Sequence, residues 1–198
     1  MWSSLRVRAL TRLGAVLLSV IALADVARPT YSVIVVDSVT GEVCIALASC
    51  HAGGVNLKRT LPVVVVGRGA GVIQSFSDQS GILRQVVRNG LATGVAPQDL
   101  VDQLMGYDRY AAWRQISVVD LLSAPATFTG PNSNQAATGI VGTDGPLHYA
   151  IQGNILVGKK VIERGEVAFL TTPGDVGQRA MAVMETMRAL GGDGRCSC

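Results

Sequence analysis

The chain has 198 residues, 48% of them hydrophobic and 16% charged: enough apolar side chain for one core, and too little charge for a disordered polymer. The formal net charge of +3 belongs to Arg6, Arg8 and Arg12, because removing residues 1–24 leaves 14 basic against 14 acidic residues. A domain so balanced has no electrostatic footprint for phosphate backbones or anionic lipid, which argues against nucleic-acid binding.

In chain order, the first feature is this basic stretch followed by an apolar run from Leu13 to Leu23 that ends in Ala22-Leu23-Ala24. The pattern reads as a secretory signal over residues 1–24, and the run is short of the roughly 20 apolar residues that cross a bilayer. The expected location is therefore periplasmic or extracellular, without stable membrane insertion once the signal is cut; an uncleaved anchor is the alternative. Residues 25–29 read as a short pro-segment or linker, and 30–198 as one domain. Outside the cytoplasm thiols tend to oxidise. Cys44, Cys50, Cys196 and Cys198 do not have zinc-ligand spacing, so a disulfide is expected rather than a metal. Cys44, inside Val43-Cys44-Ile45, reads as a small buried apolar residue.

Tyr31 to Val36 and Glu42 to Ala48 flank Ser38-Val39-Thr40-Gly41, the pattern of a β-hairpin. Leu61 to Val66 and Gly71 to Phe76 read as two more strands joined by Gly67-Arg68-Gly69-Ala70. Ile82, Leu83, Val86 and Val87 then recur at helical spacing, with Gly90 placed to stop the helix. Pro97 and Asp99 open a second helix that Gly106 ends. Gln115 to Asp120 and Ala124 to Thr129 read as a hairpin, and Leu147 to Ile155 as a strand after a Gly-, Asn- and Thr-rich loop. Val161 to Phe169 and Pro173 to Leu190 read as helices, the second started by Thr172 and Asp175. Blocks of strands alternate with blocks of helices, which predicts α+β layers and excludes a Rossmann fold. Gly67-Arg68-Gly69-Ala70-Gly71 lacks the dinucleotide-binding spacing and continues as strand.

His51 and His148 sit in no metal or nucleophile-elbow motif and read as ordinary polar residues; Asp99 and Asp102 fall on a solvated helix face. The stretch from Thr30-Tyr31-Ser32-Val33 through Ala46-Leu47-Ala48-Ser49-Cys50 resembles the opening of a bacterial and archaeal domain of unknown function placed in the N-terminal nucleophile (Ntn) hydrolase superfamily. Arg114-Gln115-Ile116-Ser117-Val118-Val119-Asp120, Phe128-Thr129-Gly130, Tyr149-Ala150-Ile151-Gln152-Gly153-Asn154-Ile155-Leu156 and Gly191-Gly192-Asp193-Gly194-Arg195-Cys196 match it in order.

This resemblance implies a four-layer αββα sandwich with Thr30 as nucleophile, its own α-amine acting as base once a second cleavage exposes it. Asn154 is the expected oxyanion amide, with Ser49, Cys50 and Gln152 lining the same pocket. It implies an exported amidohydrolase that cuts a C–N bond in a small amide or peptide without a cofactor. The alternatives are a non-catalytic exported domain of the same fold that binds cell-wall or peptide material, and an anchored structural domain; homo-oligomerisation is left open. Relatives carry closing strands beyond the Gly-Asp-Arg segment, so the last C-terminal strands of the sandwich are expected to be missing. Cys50 is expected to pair with Cys196, with Cys198 as the rival partner.

Overall fold

The computed structural model describes residues 30–50 and 56–194. The expected leader, the 25–29 segment, His51, Cys196 and Cys198 lie outside the described residues. The chain runs β1 (Thr30–Asp37), β2 (Val43–Ala48), α1 (Leu57–Thr60), β3 (Pro62–Val65), β4 (Gly69–Ser75), α2 (Ile82–Thr93) and α3 (Pro97–Tyr107). It continues with β5 (Arg114–Asp120), β6 (Ala126–Thr129), β7 (Thr138–Asp144), β8 (Leu147–Asn154), α4 (Lys160–Thr171) and α5 (Val176–Ala189).

The strands form two antiparallel sheets, ordered β2-β1-β8-β7 and β3-β4-β5-β6. The β-branched run in β1 suits a pleated strand, and its turn is closed by the Asp37 carboxylate, which accepts the N–H groups of Val39 at 2.8 Å and Thr40 at 3.0 Å. Those two bonds hold the Asp37 carboxyl below its ordinary pKa.

Period-two alternation decides which side chain enters which core. Tyr31, Val33 and Val35 of β1 join Tyr149 and Ile151 of β8 in a cluster with Phe169, Val183 and Met187 of α4 and α5. Ile73, Ile116 and Val118 pack with Val87, Leu91, Leu100 and Leu104 of α2 and α3. The intervening positions Ile34, Val36, Ala70, Val72, Val119 and Ala150 meet one another, joining the two sheets. Each helix pair therefore packs on one sheet, and the sheets pack on each other. A fully buried Val or Ile such as Val33 or Ile34, at most 1% exposed, contributes about 1.5–3 kcal/mol of transfer free energy.

Helix α2 departs from the sequence reading, because it runs through Gly90 and ends at Gly94, whose φ of 80° is left-handed. Gly90 instead lets α3 approach: a Cβ there would collide with the side chain of Leu100. Strand β7 lies in what reads as loop, since Gly139 and Gly142 interrupt its pattern. Gly142 is required because a Cβ would strike the Tyr149 hydroxyl. The short α1 carries no sequence signal. Helix α5 begins as expected at Asp175, which forms a reciprocal capping box with Gln178.

Candidate functional site

The layer between the sheets changes character along its length. At one end its inward positions are apolar; at the other they are Thr30 and Ser32 of β1, Gln74 of β4, Gln115 of β5, and Gln152 and Asn154 of β8, all buried. A buried amide left unpaired costs about 1–3 kcal/mol, so these groups must satisfy one another. The Gln74 amide donates to the Thr30 carbonyl at 3.2 Å and to Gln115 Oε1 at 3.1 Å, and accepts from Ser32 Oγ at 2.7 Å. Gln115 donates to the Gly153 carbonyl at 2.9 Å and the Thr138 carbonyl at 3.1 Å, and so ties its own sheet to the opposite one.

Thr30 and Asn154 are direct cross-strand partners. The Asn154 amide donates to the Thr30 carbonyl at 3.4 Å and to Gln115 Oε1 at 3.0 Å, while its Oδ1 is buried without a partner. With both N–H groups so used, Asn154 fixes the Thr30 backbone. Gln152 points between the sheets, donating to the Val72 carbonyl at 3.5 Å and accepting from Thr127 Oγ1 at 3.4 Å.

A small cavity lies beside Thr30, lined by Thr30, Ser49, Thr60, Ser75 and Ser77 and by Leu57 and Leu61. Thr30 and Ser49 thus share a cavity wall; Gln152, Asn154 and Cys50 lie outside it. Cys50 follows β2, and its N–H donates to the Asp193 carboxylate at 3.0 Å. Cys44 is a free, partly buried cysteine whose thiol pKa is raised, first by burial and then by Asp175. Next to Thr30, burial likewise raises the Tyr31 phenol, with Arg188 opposing and Asp193 adding to the shift.

Sequence reasoning missed Gln74, Gln115 and Ser75. For the first two, alternation with Ile73 and Ile116 marks only a change of face, and it is the opposite sheet that buries that face. Ser75 had no such signal: it has φ of 74°, is buried, and its Oγ has no hydrogen-bond partner. A non-glycine residue held in that region points to a functional constraint. Ile155, after Asn154, is also left-handed, with φ of 51°.

Ser77 also borders a second, larger cleft of about 480 Å³ walled by Phe76, Tyr107, Tyr110, Ile82 and Leu83, with Asp78, Asp108, Arg109 and Arg114 among its charged groups. Arg114 is buried, pairs with Asp108 at 2.6 Å and lies over the Phe76 ring. Asp78 accepts the N–H groups of Gly81 at 3.1 Å and Arg84 at 3.0 Å, closing the start of α2. Burial, then Asp108 and Asp78, raises the Tyr107 phenol. Among the described residues no group of three or more His, Cys, Asp or Glu could hold a metal, and no helix is long and apolar enough to cross a membrane.

No curated protein matches this chain. Its fold is similar to the crystal structure of protein SPO2555 from Silicibacter pomeroyi, which carries the DUF1028 family label. The two superimpose with a TM-score of 0.70 at 22% identity, over 81% of this chain and 70% of that one. Residues 30–197, from the first residue of β1 through Ser197, match the family of unknown function DUF1028, and the chain belongs to that family.

Proposed function

We propose that this protein is an exported amidohydrolase of the Ntn type in which Thr30 is the nucleophile. The observation that carries the reading is the position of Thr30: first residue of β1, at the polar end of the inter-sheet layer, bordering a small cavity that Ser49, Ser75 and Ser77 also line. Two sheets packed face to face with a helix pair on each fit the αββα sandwich that the Ntn superfamily uses. The family match that begins at residue 30 is consistent with a mature domain starting there.

In the proposed reaction, removal of residues 1–29 exposes the Thr30 α-amine, which takes the Oγ proton as Oγ attacks the amide carbonyl carbon. The proton passes to the leaving nitrogen, the C–N bond breaks, and water hydrolyses the resulting ester to a carboxylic acid and restores the hydroxyl. This chemistry requires neither metal nor cofactor. Asn154 and Gln74 position Thr30 through its carbonyl. The oxyanion falls to backbone N–H groups or to the hydroxyls of Ser75 and Ser49.

The second reading is a non-catalytic exported domain that binds cell-wall or peptide material. It is favoured by the enclosure of Thr30, 2% exposed. N-terminal sequencing of the secreted protein, combined with an amide-hydrolysis screen, separates the two. The hydrolase reading expects Thr30 as the first residue, activity retained in Thr30→Ser, and a fall of at least about a thousandfold in Thr30→Ala. A secreted chain that begins at Asp25 and hydrolyses nothing would leave the binding reading.

A further inference from the structure

The larger cleft has a composition that the small cavity lacks. Phe76 stacks on Tyr110 with centroids 4.8 Å apart, and Tyr107 and Ile82, 49% and 60% exposed, present unpartnered apolar surface. Its charges are nearly all spent within the protein. Arg114 is paired with Asp108, Arg84 lies 3.5 Å from Asp78, and the Asp78 carboxylate already occupies the start of α2. Arg109 is left: it is exposed, has no carboxylate partner among the described residues, and its guanidinium lies 4.6 Å from the centre of the Tyr110 ring.

An aromatic wall with one unneutralised guanidinium at its edge suits a ligand with a flat apolar group and a carboxylate a few bonds apart. Ser77 borders both this cleft and the Thr30 cavity, which places the two side by side. We infer that the cleft takes the amino-acid half of the substrate: an N-acylated aromatic amino acid, or a short peptide ending in one. Its carboxylate meets Arg109, its side chain lies against Phe76, Tyr107 and Tyr110, and its acyl carbonyl is directed past Ser77 toward Thr30. Binding depends on the cleft alone; the claim that this ligand is then cleaved rests on the reading of Thr30 as nucleophile.

The test is calorimetric titration of the secreted protein with N-acetyl-L-phenylalanine, its carboxamide and N-acetyl-L-alanine. The acid should bind about tenfold more tightly than either. Arg109→Gln should erase the preference for acid over carboxamide, Arg109→Lys should keep part of it, and Thr30→Val should leave it intact. Equal affinity for acid and carboxamide, a preference that survives Arg109→Gln, or no binding of the acid would overturn the inference. Tight binding of the acid with no hydrolysis of any amide screened would support the cleft and sink the nucleophile; hydrolysis of other amides with a KM unchanged by Arg109→Gln would do the reverse.

Discussion

At Ser75 two costs coincide. A non-glycine residue at φ of 74° forfeits about 1–2 kcal/mol, and a buried hydroxyl without a partner forfeits about 1–3 kcal/mol more. Glycine would remove both while losing about 0.5–1 kcal/mol of chain entropy. Ser75→Gly is therefore expected to raise the unfolding free energy by about 1 kcal/mol, measured by urea denaturation. If the hydroxyl serves the Thr30 cavity, the same variant loses amide hydrolysis while its N-terminus is processed normally. A variant that is both less stable and fully active would show that Ser75 is held for packing. This pairing of stored strain with a site is common where geometry must be fixed before a ligand arrives.

Among the elements, the connection between the start and the end of the described chain is the most informative. Asp193 is buried, accepts the Cys50 N–H, and forms a bridge with Leu156 just after β8; the Gly194 N–H donates to the Ile155 carbonyl at 2.8 Å. The tail is thus pinned at Asp193, three positions before Cys196, against Cys50 just beyond the end of β2. A Cys50–Cys196 disulfide would lock this junction, and for so long a loop the chain-entropy model assigns roughly 4–5 kcal/mol, an upper figure. The expected result of non-reducing peptide mapping on the secreted protein is a Cys50–tail peptide, with Cys44 alkylated slowly because burial raises its thiol pKa. Finding every thiol alkylated in the native secreted protein would remove the bridge.

For the whole molecule, the two sheets are held together differently at their two ends. Ile34, Val72, Val119 and Ala150 bury apolar surface at one end; at the other, the sheets meet through the Gln74–Gln115–Asn154 network. Gln115 is its centre, since its Oε1 accepts from two amides and its N–H groups reach carbonyls on β7 and β8. Gln115→Leu keeps the volume but leaves one N–H of the Gln74 amide and one of the Asn154 amide without an acceptor in a buried layer. It should cost about 2–4 kcal/mol in urea denaturation, more than a surface substitution and comparable to a large core deletion. A loss below about 0.5 kcal/mol would mean that water takes up the stranded groups.

The sequence by itself determined the α+β order, the β1–β2 hairpin, the capped start of α5 and the exclusion of a parallel nucleotide-binding sheet, because alternation, turn chemistry and helix caps act over a few neighbouring residues. It also paired Thr30 with Asn154 as candidates, through resemblance rather than local pattern. Tertiary structure decided the rest. Gly90 looks like a helix stop but is a close-packing position against Leu100, and the glycines of β7 look like loop but make room for neighbours such as Tyr149, from the adjacent strand. Gln74, Gln115 and Ser75 acquire their roles only when two sheets distant in sequence face one another, because a buried polar residue is defined by partners that no local window contains.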